Sequence, residues 1–291
     1  MARLYVVATP IGNLSDMTPR AVETLRSCAL IAAEDTRVTG ALCAHFDIHT
    51  RLLSSHRHNE EQKAPAIVER MLAEDIDVAV VTDAGTPCIS DPGWALVREA
   101  AEAGVEVLCV PGPTAMASAL SVSGFDTREF AFYGFLPRGG KELQEKLTSI
   151  ARSGVPVAVV HESPHRVTAL CETIAETLPG ARICACCDLT KKFEKTIRGE
   201  AAEVAQMLRD NPKTEKGEYC LVLDLSGVSL PQATSVSGVS LEARLLEYMV
   251  SGTTLREAGA ALMEQGEKRN DVYRAGTRVK DFLREMAEEM E

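Results

Sequence analysis

Between Arg3 and Ser123 the chain alternates short apolar runs with amphipathic stretches. Arg3-Leu-Tyr-Val-Val-Ala8, Ala29–Ala33, a short run near Leu52, Asp77–Val81 and Val105–Val110 are aliphatic and bounded by polar residues. Runs of this kind predict buried strands, most naturally in a parallel sheet. Between them the spacing predicts helices. One opens at Thr18-Pro19, a Ser/Thr cap with Pro in the first turn, and runs to about Ser27. Others cover Val38–Phe46, Asn59–Glu74, Trp94–Ala103 (stopped by Gly104), and a small-residue stretch from Ala115 to Ser123. Strand and helix in strict alternation predict an α/β fold around a parallel sheet.

The texture changes at Phe130-Ala-Phe-Tyr-Gly-Phe-Leu-Pro137, and Arg138-Gly-Gly-Lys141 reads as a junction. A second α/β unit is predicted after it, with strands at Val155–Val160, Arg182–Asp188, Phe193–Ile197 and Tyr219–Leu225. Gly227 to Ser240 is rich in Ser, Gly and Val and reads as a linker. From Leu241 onward the apolar spacing is helical, and Thr254–Met263 with Lys268–Ala275 resembles a helix-turn-helix pair. The expected organisation is therefore an N-terminal α/β domain (1–137), a second α/β domain (138–226), a linker (227–240) and a small helical domain (241–291).

Composition narrows the class. With 45% hydrophobic and 25% charged residues this is the composition of a soluble globular chain. No apolar run reaches the roughly 18 residues of a membrane span, so no membrane partner is expected and the expected location is the cytoplasm. The net charge of −11 excludes a surface coated with phosphate-binding cations, though not a local basic patch. One such patch stands out: from Lys268 to Arg284 six cations face two acids, a net of +4. The nine cysteines are scattered. Cys184-Ala-Cys-Cys187 has no second pair, so it reads as core strand rather than as a metal or redox site.

Four polar clusters fall where the first sheet's strands end: Thr9–Asn13, Glu34–Arg37, Thr82–Asp91 and Pro111–Ala115. Loops at the carboxyl edge of one parallel sheet converge on one crevice. The connection from Thr82 to Gly93 is longer than the usual two to six residues, and its Asp83, Gly85, Ser90 and Asp91 suit ribose hydroxyls or a cationic ligand. Neither a G-x-G-x-x-G nor a G-x-x-x-x-G-K-[ST] is present, so neither a dinucleotide nor a P-loop triphosphate is indicated. His56 and His58 lack a third ligand nearby, which leaves metal binding unsupported. Glu-Asp-Thr-Arg (34–37) reads equally as a helix cap with an ion pair. The cations at Lys191, Lys192, Lys195 and Arg198 read either as a solvated face or as an approach for an anionic substrate.

Taken in order, TPIGNL, EDTR, H-x-HNE, DAGTP-x-ISDPG, PGP, GFLPR, ES-x-HR, LTK and KGE resemble the ribosomal RNA small-subunit methyltransferase I family. This is a branch of the tetrapyrrole-methylase-like, class III S-adenosylmethionine enzymes. The resemblance spans about Arg3 to Leu225. It implies two α/β domains of the tetrapyrrole methylase type with the cofactor cleft between them, a small C-terminal helical domain, and a homodimer. The implied reaction is 2′-O-methylation of a cytidine ribose in the decoding centre of 16S rRNA on the small ribosomal subunit, with S-adenosylmethionine as methyl donor and no metal. Carried over, the cofactor site takes Pro10, Asp83, Ala84, Gly85, Ser90, Asp91, Thr114, Ala115, Glu162, Leu189 and Gly217. His161 stands where the family pattern has Tyr, and Thr82 where it has Ser.

A ribose hydroxyl is a poor nucleophile while protonated, so a base or a charge-stabilising cation helps. Asp35, Glu34 and His165 are the candidate bases, and Arg37 and Lys191 the candidate cations. Substrate contacts are expected from Arg37, His56, Asn59, Arg138, His165 and Arg166, and from Lys268, Arg269 and Arg274 in the tail. Two rival readings are a methylase of a small tetrapyrrole-like substrate and a non-enzymatic nucleic-acid-binding regulator. The second leaves the carboxyl-edge clusters without a role.

Overall fold

The apolar runs of the first half become five strands: β1 (Arg3–Val7), β2 (Leu30–Ala33), β3 (Arg51–Ser54), β4 (Val78–Val81) and β5 (Glu106–Val110). In this computed structural model, which describes residues 2–229 and 240–289, they form one parallel sheet in the order β3-β2-β4-β1-β5. Strands β2 and β4 are buried along their whole length, which is why they read as unbroken apolar runs. Side chains still alternate between faces. Leu30, Ala32, Val78 and Val80 meet Ile67, Met71 and Leu96 of the helices α3 (Glu60–Glu74) and α4 (Trp94–Glu102). Ile31, Ala33, Ala79 and Val81 meet Ala21, Leu25 and Cys43 of α1 (Pro19–Ser27) and α2 (Thr36–His45) on the other face. The α1 cap is the one its sequence announces: Thr18 Oγ1 accepts from the Ala21 N–H at 3.1 Å, with Pro19 next in line.

Strands β1 and β4 are neighbours, and the helices that follow them, α1 and α4, lie on opposite faces. That arrangement opens a crevice at the carboxyl edge between the two loops. The loops are tied together across it. The Thr9 N–H donates to Gly85 O at 2.9 Å and the Gly85 N–H to Thr9 O at 3.0 Å.

The second sheet runs β6 (Phe130–Phe135), β7 (Val157–Glu162), β10 (Tyr219–Asp224), β8 (Arg182–Cys187) and β9 (Lys195–Glu200). Only β6 and β7 are parallel; the remaining pairs are antiparallel. Strand β6, placed by its sequence position in the N-terminal domain (1–137), pairs with β7, so the sheet boundary falls before Phe130. Its register slips between Phe132 and Gly134, where Gly134 takes φ +61°. Helices α6 (Gly140–Arg152), α7 (Val167–Thr177) and α8 (Ala201–Arg209) complete this half. Cys184, Cys186 and Cys220 are buried in its strands, as small core hydrophobes.

Helix α5 (Ala115–Ser123) joins the halves. It leaves the edge of the first sheet yet buries Ala119 and Leu120 against Val157, Val159, Cys184, Cys186, Cys220 and Val222 of the second. Arg198, expected in a basic substrate approach, is spent here. Its Nε donates to Ser123 O at 3.2 Å and its Nη2 to Val122 O, closing the last carbonyls of α5. Both α/β halves therefore belong to one compact unit ending at Ser229.

The second unit holds α9 (Leu241–Val250), α10 (Leu255–Glu264) and α11 (Arg269–Glu289) around Leu245, Ala258, Leu262, Val272, Ala275 and Val279. Buried Arg244 binds Glu267 at 2.5 Å and Gln265 at 2.8 Å, fastening α9 to the α10–α11 turn. Of the expected linker, residues 230–239 lie outside the described residues.

Arg198→Ala removes charge-assisted bonds at a partly solvated site, and should cost about 1 kcal/mol. In a unit of this size that lowers the melting temperature by roughly 2–4 °C. Arg198→Lys should not restore it, because a single ammonium lacks the fork that reaches two carbonyls. An unchanged melting curve for Arg198→Ala would remove the cap from the account of α5.

Candidate active site

The loops at the carboxyl edge of the first sheet and the ends of β7, β8 and β10 enclose a cleft of about 460 Å³, within the range of small-molecule sites. Glu34, Asp83, Ala84, Gly85, Ser90 and Asp91 form one wall, Thr114 and Ala115 the start of α5, and Glu162, Leu189, Glu218 and Tyr219 the other wall. Ten of the expected site residues thus meet: Glu34 and nine of the eleven expected at the cofactor. The other two stand apart. Pro10 lines a neighbouring cavity, and Gly217, at φ +93°, sits beside Asp188, whose carboxylate a Cβ would strike at 2.6 Å. Gly85 is required by its backbone: it holds φ +84°, while a Cβ there would meet Ile11 only at an ordinary 3.5 Å.

Charge defines this cleft. Five carboxylates line it, and among the described residues no Lys or Arg does. Two are neutralised from behind. Buried Glu162 faces Arg166 at 3.0 Å, and Glu218 receives the Lys191 ammonium at 2.9 Å. Glu34, Asp83 and Asp91 remain. Burial raises the affinity of each for a proton, and in Asp91, beside Glu34, it does so to about 6.

EDTR divides into the two roles left open for it. Asp35 caps α2, its Oδ1 accepting from the Arg37 N–H at 2.8 Å, and pairs with the Arg37 guanidinium at 2.6 Å. Those bonds from Arg37 hold its carboxyl at about 2. Glu34, one residue earlier, points to the cleft. Lys191 is likewise engaged, bridging Asp188 and Glu218 at 2.9 Å each while its stem covers Gly12. Arg166 also donates to Pro137 O at 3.1 Å, so it braces the wall. Arg138 and His165 are exposed. Lys268, Arg269 and Arg274 lie at the start of α11, Arg274 paired with Asp271 at 2.6 Å. His161 packs edge-on against Phe132, ring centroids 5.1 Å apart, and burial lowers its pKa, so it stands at neutral pH as an uncharged aromatic wall.

His56 and Asn59 hold one another. Asn59 Oδ1 accepts from the His56 N–H at 2.8 Å and its Nδ2 meets His56 Nε2 at 3.0 Å. Their neighbours are what reach the site. Arg57 donates to Ser90 O at 2.8 Å, and the carboxylate of Glu60, 2% exposed, accepts from the Gly93 N–H at 2.7 Å. These two clamp a loop that carries Cys88 and Ser90 at φ +70° and Gly93 at φ +121°. Arg57 was not singled out in the sequence, and Glu60, the last residue of H-x-HNE, was given no role there and reads as an ordinary first-turn acid of a helix.

The profile of the Tetrapyrrole (Corrin/Porphyrin) Methylases matches residues 3–205. A Vibrio cholerae protein named ribosomal RNA small subunit methyltransferase I is 40% identical over 280 residues, covering 94% of this chain and 93% of its own. The chain belongs to the ribosomal RNA small subunit methyltransferase I family. Relatives of that name from Bacillus subtilis (38% identical, 94% of each chain) and a Synechocystis species (41% identical, 91% of this chain and 93% of its own) agree. The fold is that of tetrapyrrole methylases. The uroporphyrin-III C-methyl transferase of Thermus thermophilus, solved with S-adenosyl homocysteine, superposes with a TM-score of 0.53 at 19% identity over 76% of this chain and 97% of its own.

The clamp generates a test within the family fold. Glu60→Ala should raise hydrogen exchange across residues 85–93 by about tenfold, the worth of one bond to a charged acceptor. Glu60→Gln keeps an acceptor oxygen and should stay near wild type. Equal exchange in the alanine variant and wild type would show that the loop holds its shape unaided.

Proposed function

We propose that the chain transfers a methyl group from S-adenosylmethionine to the 2′-hydroxyl of a cytidine ribose in the decoding centre of 16S rRNA, on the small ribosomal subunit. The observation that carries the donor half is the cleft's charge. A site lined by carboxylates, with no Lys or Arg among the described residues, disfavours phosphates and favours a ligand bearing a positive centre. The cleft-lining backbone at Ala84, Thr114 and Ala115 offers partners to an adenine, and Asp83, Ser90 and Asp91 offer acceptors to ribose hydroxyls. The donor, when bound, supplies a methyl group activated on a sulfonium. The residue set fits it and offers no phosphate cradle among the described residues.

The chain's own work is positioning and proton removal. Of the candidate bases, Glu34 lines the cleft with a raised pKa, whereas Asp35 is held by Arg37 at about 2 and serves as a cap. Glu34 therefore takes the hydroxyl proton in this reading, and Asp35 positions Arg37 at the rim. The acceptor half rests on the relatives' name and on exposed cations beside the cleft, Arg138 and Lys192, the latter 5.6 Å from the ring of the exposed Phe193. Lys268, Arg269 and Arg274 supply phosphate contacts from the helical unit. The reading places the protein with ribosomes in the cytoplasm, as a homodimer. Among the described residues no helix is long and apolar enough to cross a membrane.

Mass spectrometry of 16S rRNA from unmodified small subunits, incubated with the protein and S-adenosylmethionine, should show one added ribose methyl on a decoding-centre cytidine. Glu34→Gln should slow its appearance by about 100-fold, within the usual worth of a general base. Unmethylated rRNA beside a methylated porphyrinoid would hand the chain to the small-substrate reading.

The carboxylates set a pH dependence. A cation stabilises their ionised forms, so S-adenosylmethionine should bind more weakly as pH falls from 7.5 to 5, through the Asp91 value of about 6. S-adenosylhomocysteine lacks the sulfonium charge and should respond less. Calorimetry on both ligands checks this, and Asp91→Asn should bring the two profiles together. Parallel profiles in wild type would mean that the sulfonium lies away from these acids.

A further inference from the structure

A second cavity, of about 320 Å³, opens beside the cofactor cleft, and Asp83 lines both. Its walls are apolar: Pro10, Leu14, Val38, Ala41 and Leu42, from the first loop and α2. Leu14 and Val38 are each 44% exposed, although an apolar core lies a few residues away. Exposed aliphatic side chains gathered around a cavity mark a surface meant to be covered. Its polar members are Asn13, Thr39, His45, Thr82 and Asp83, of which Thr39 and Thr82 are buried. Asn13 uses Oδ1 to cap the 3₁₀ turn Leu14–Asp16, accepting from the Ser15 N–H at 3.0 Å, and its amide nitrogen has no partner among the described residues. His45 and Asp83 are the titratable groups that line it.

We infer that this cavity receives the base of the target nucleotide, swung out of its stack. The inference rests on the rRNA methylation reading and adds a subsite to it. An extruded base needs apolar walls against its faces and a few polar groups at its edge. The aliphatic walls supply the first. The free Asn13 amide and the Asp83 carboxylate supply the second, a donor for a ring nitrogen or carbonyl and an acceptor for an exocyclic amine. A base with an amine and a carbonyl on one edge, as in cytosine, matches this pair; uracil has no amine to offer the carboxylate. No Lys or Arg lines the cavity among the described residues, which suits a neutral ring rather than a phosphate. The location ties base to chemistry. With the base in this cavity, its ribose lies at the shared Asp83 wall, and the 2′-hydroxyl faces the cleft that Glu34 also lines. Arg37, whose side chain is 90% exposed at the start of α2, is outside, where the backbone phosphates run.

The test fills the cavity without touching the cleft. Ala41 is exposed on α2, and leucine is nearly as good a helix former as alanine, so Ala41→Leu should melt close to wild type. It should keep S-adenosylmethionine affinity within about twofold by calorimetry and lose at least about tenfold in kcat/KM on small subunits, toward the lower end of what one base contact is worth. Wild type should also prefer subunits with the target cytidine over subunits with uridine there, by a similar factor. Asn13→Asp, which keeps the cap and removes the donor, should narrow that preference. Weakened cofactor binding in Ala41→Leu would assign the cavity to the cofactor and overturn the inference. So would full activity in that variant, or equal methylation of cytidine and uridine by wild type. A wild type that methylates no subunit at all would instead remove the functional reading beneath it.

Discussion

Everything at the site depends on where α5 is seated. The helix begins at the carboxyl edge of one sheet and is buried against the face of the other, so its first turn is a wall of the cleft while its middle is core. Its sequence, AMASALSVS, is short of bulk, and small side chains let the helix axis approach the strands closely. Each larger apolar side chain buried there contributes about 1.5–3 kcal/mol. The spacing between Thr114 and the Glu162 strand is thereby set by close packing, which resists small displacement. Arg198 secures the far end of the same helix. A cleft between two sheets is exact only if something rigid spans them, and here one nine-residue helix does so.

Against this frame the loops carry strain. Cys88 and Ser90 on one wall, and Asp188 and Thr190 on the other, hold positive φ without being glycine. Such residues cost of order 1–3 kcal/mol each and persist only where their surroundings impose them. The surroundings can be named. Glu60 and Arg57 fix the first loop through Gly93 and Ser90. On the second, Glu194 accepts from the Thr190 N–H at 2.7 Å and Lys191 bridges Asp188 to Glu218. The same groups shape the electrostatics. Lys191 and Arg166 spend their charge behind the wall, and the three acids left facing inward are under-solvated and reluctant to ionise, a state that a bound cation relieves.

Much of this was legible in the sequence, for a definite reason. In a parallel sheet every strand ends on the same edge, so residues that follow apolar runs converge whatever their separation along the chain; Glu34, Asp83, Asp91 and Thr114 came together on that rule. Where the rule does not apply, sequence reasoning lost its grip. Strand β6 follows α5 directly in the chain, and nothing in Phe130–Phe135 says which sheet it joins. Glu60 is separated by 33 residues from the N–H it binds, and its type and position suit any helix start. EDTR was ambiguous because both readings hold, Asp35 as cap and Glu34 as cleft wall. The motif resemblance reached further than periodicity, marking the carried-over residues without giving their geometry, and it could not separate Pro10, which lines the neighbouring cavity, from the residues of the cleft itself.

The same distinction governs the reading of positive charge. The chain carries a net charge of −11 and an acidic cleft, so a polyanionic partner has to be met by cations held elsewhere. The sequence offers a tempting run from Lys191 to Arg198, but two of its four cations are already committed, Lys191 to two carboxylates and Arg198 to the carbonyls of α5. Arg166 is paired inside the fold as well, whereas Arg37, paired with Asp35, stays exposed at the rim. A cation whose charge is answered inside the fold adds little to the long-range field. What remains around the cleft is a thin set, with Arg138, Lys192 and Lys195 exposed. Phosphate recognition by so few charges would be weak. A nucleotide held by its base in an apolar cavity does not share that weakness, because burial of its faces is insensitive to the charge of the walls.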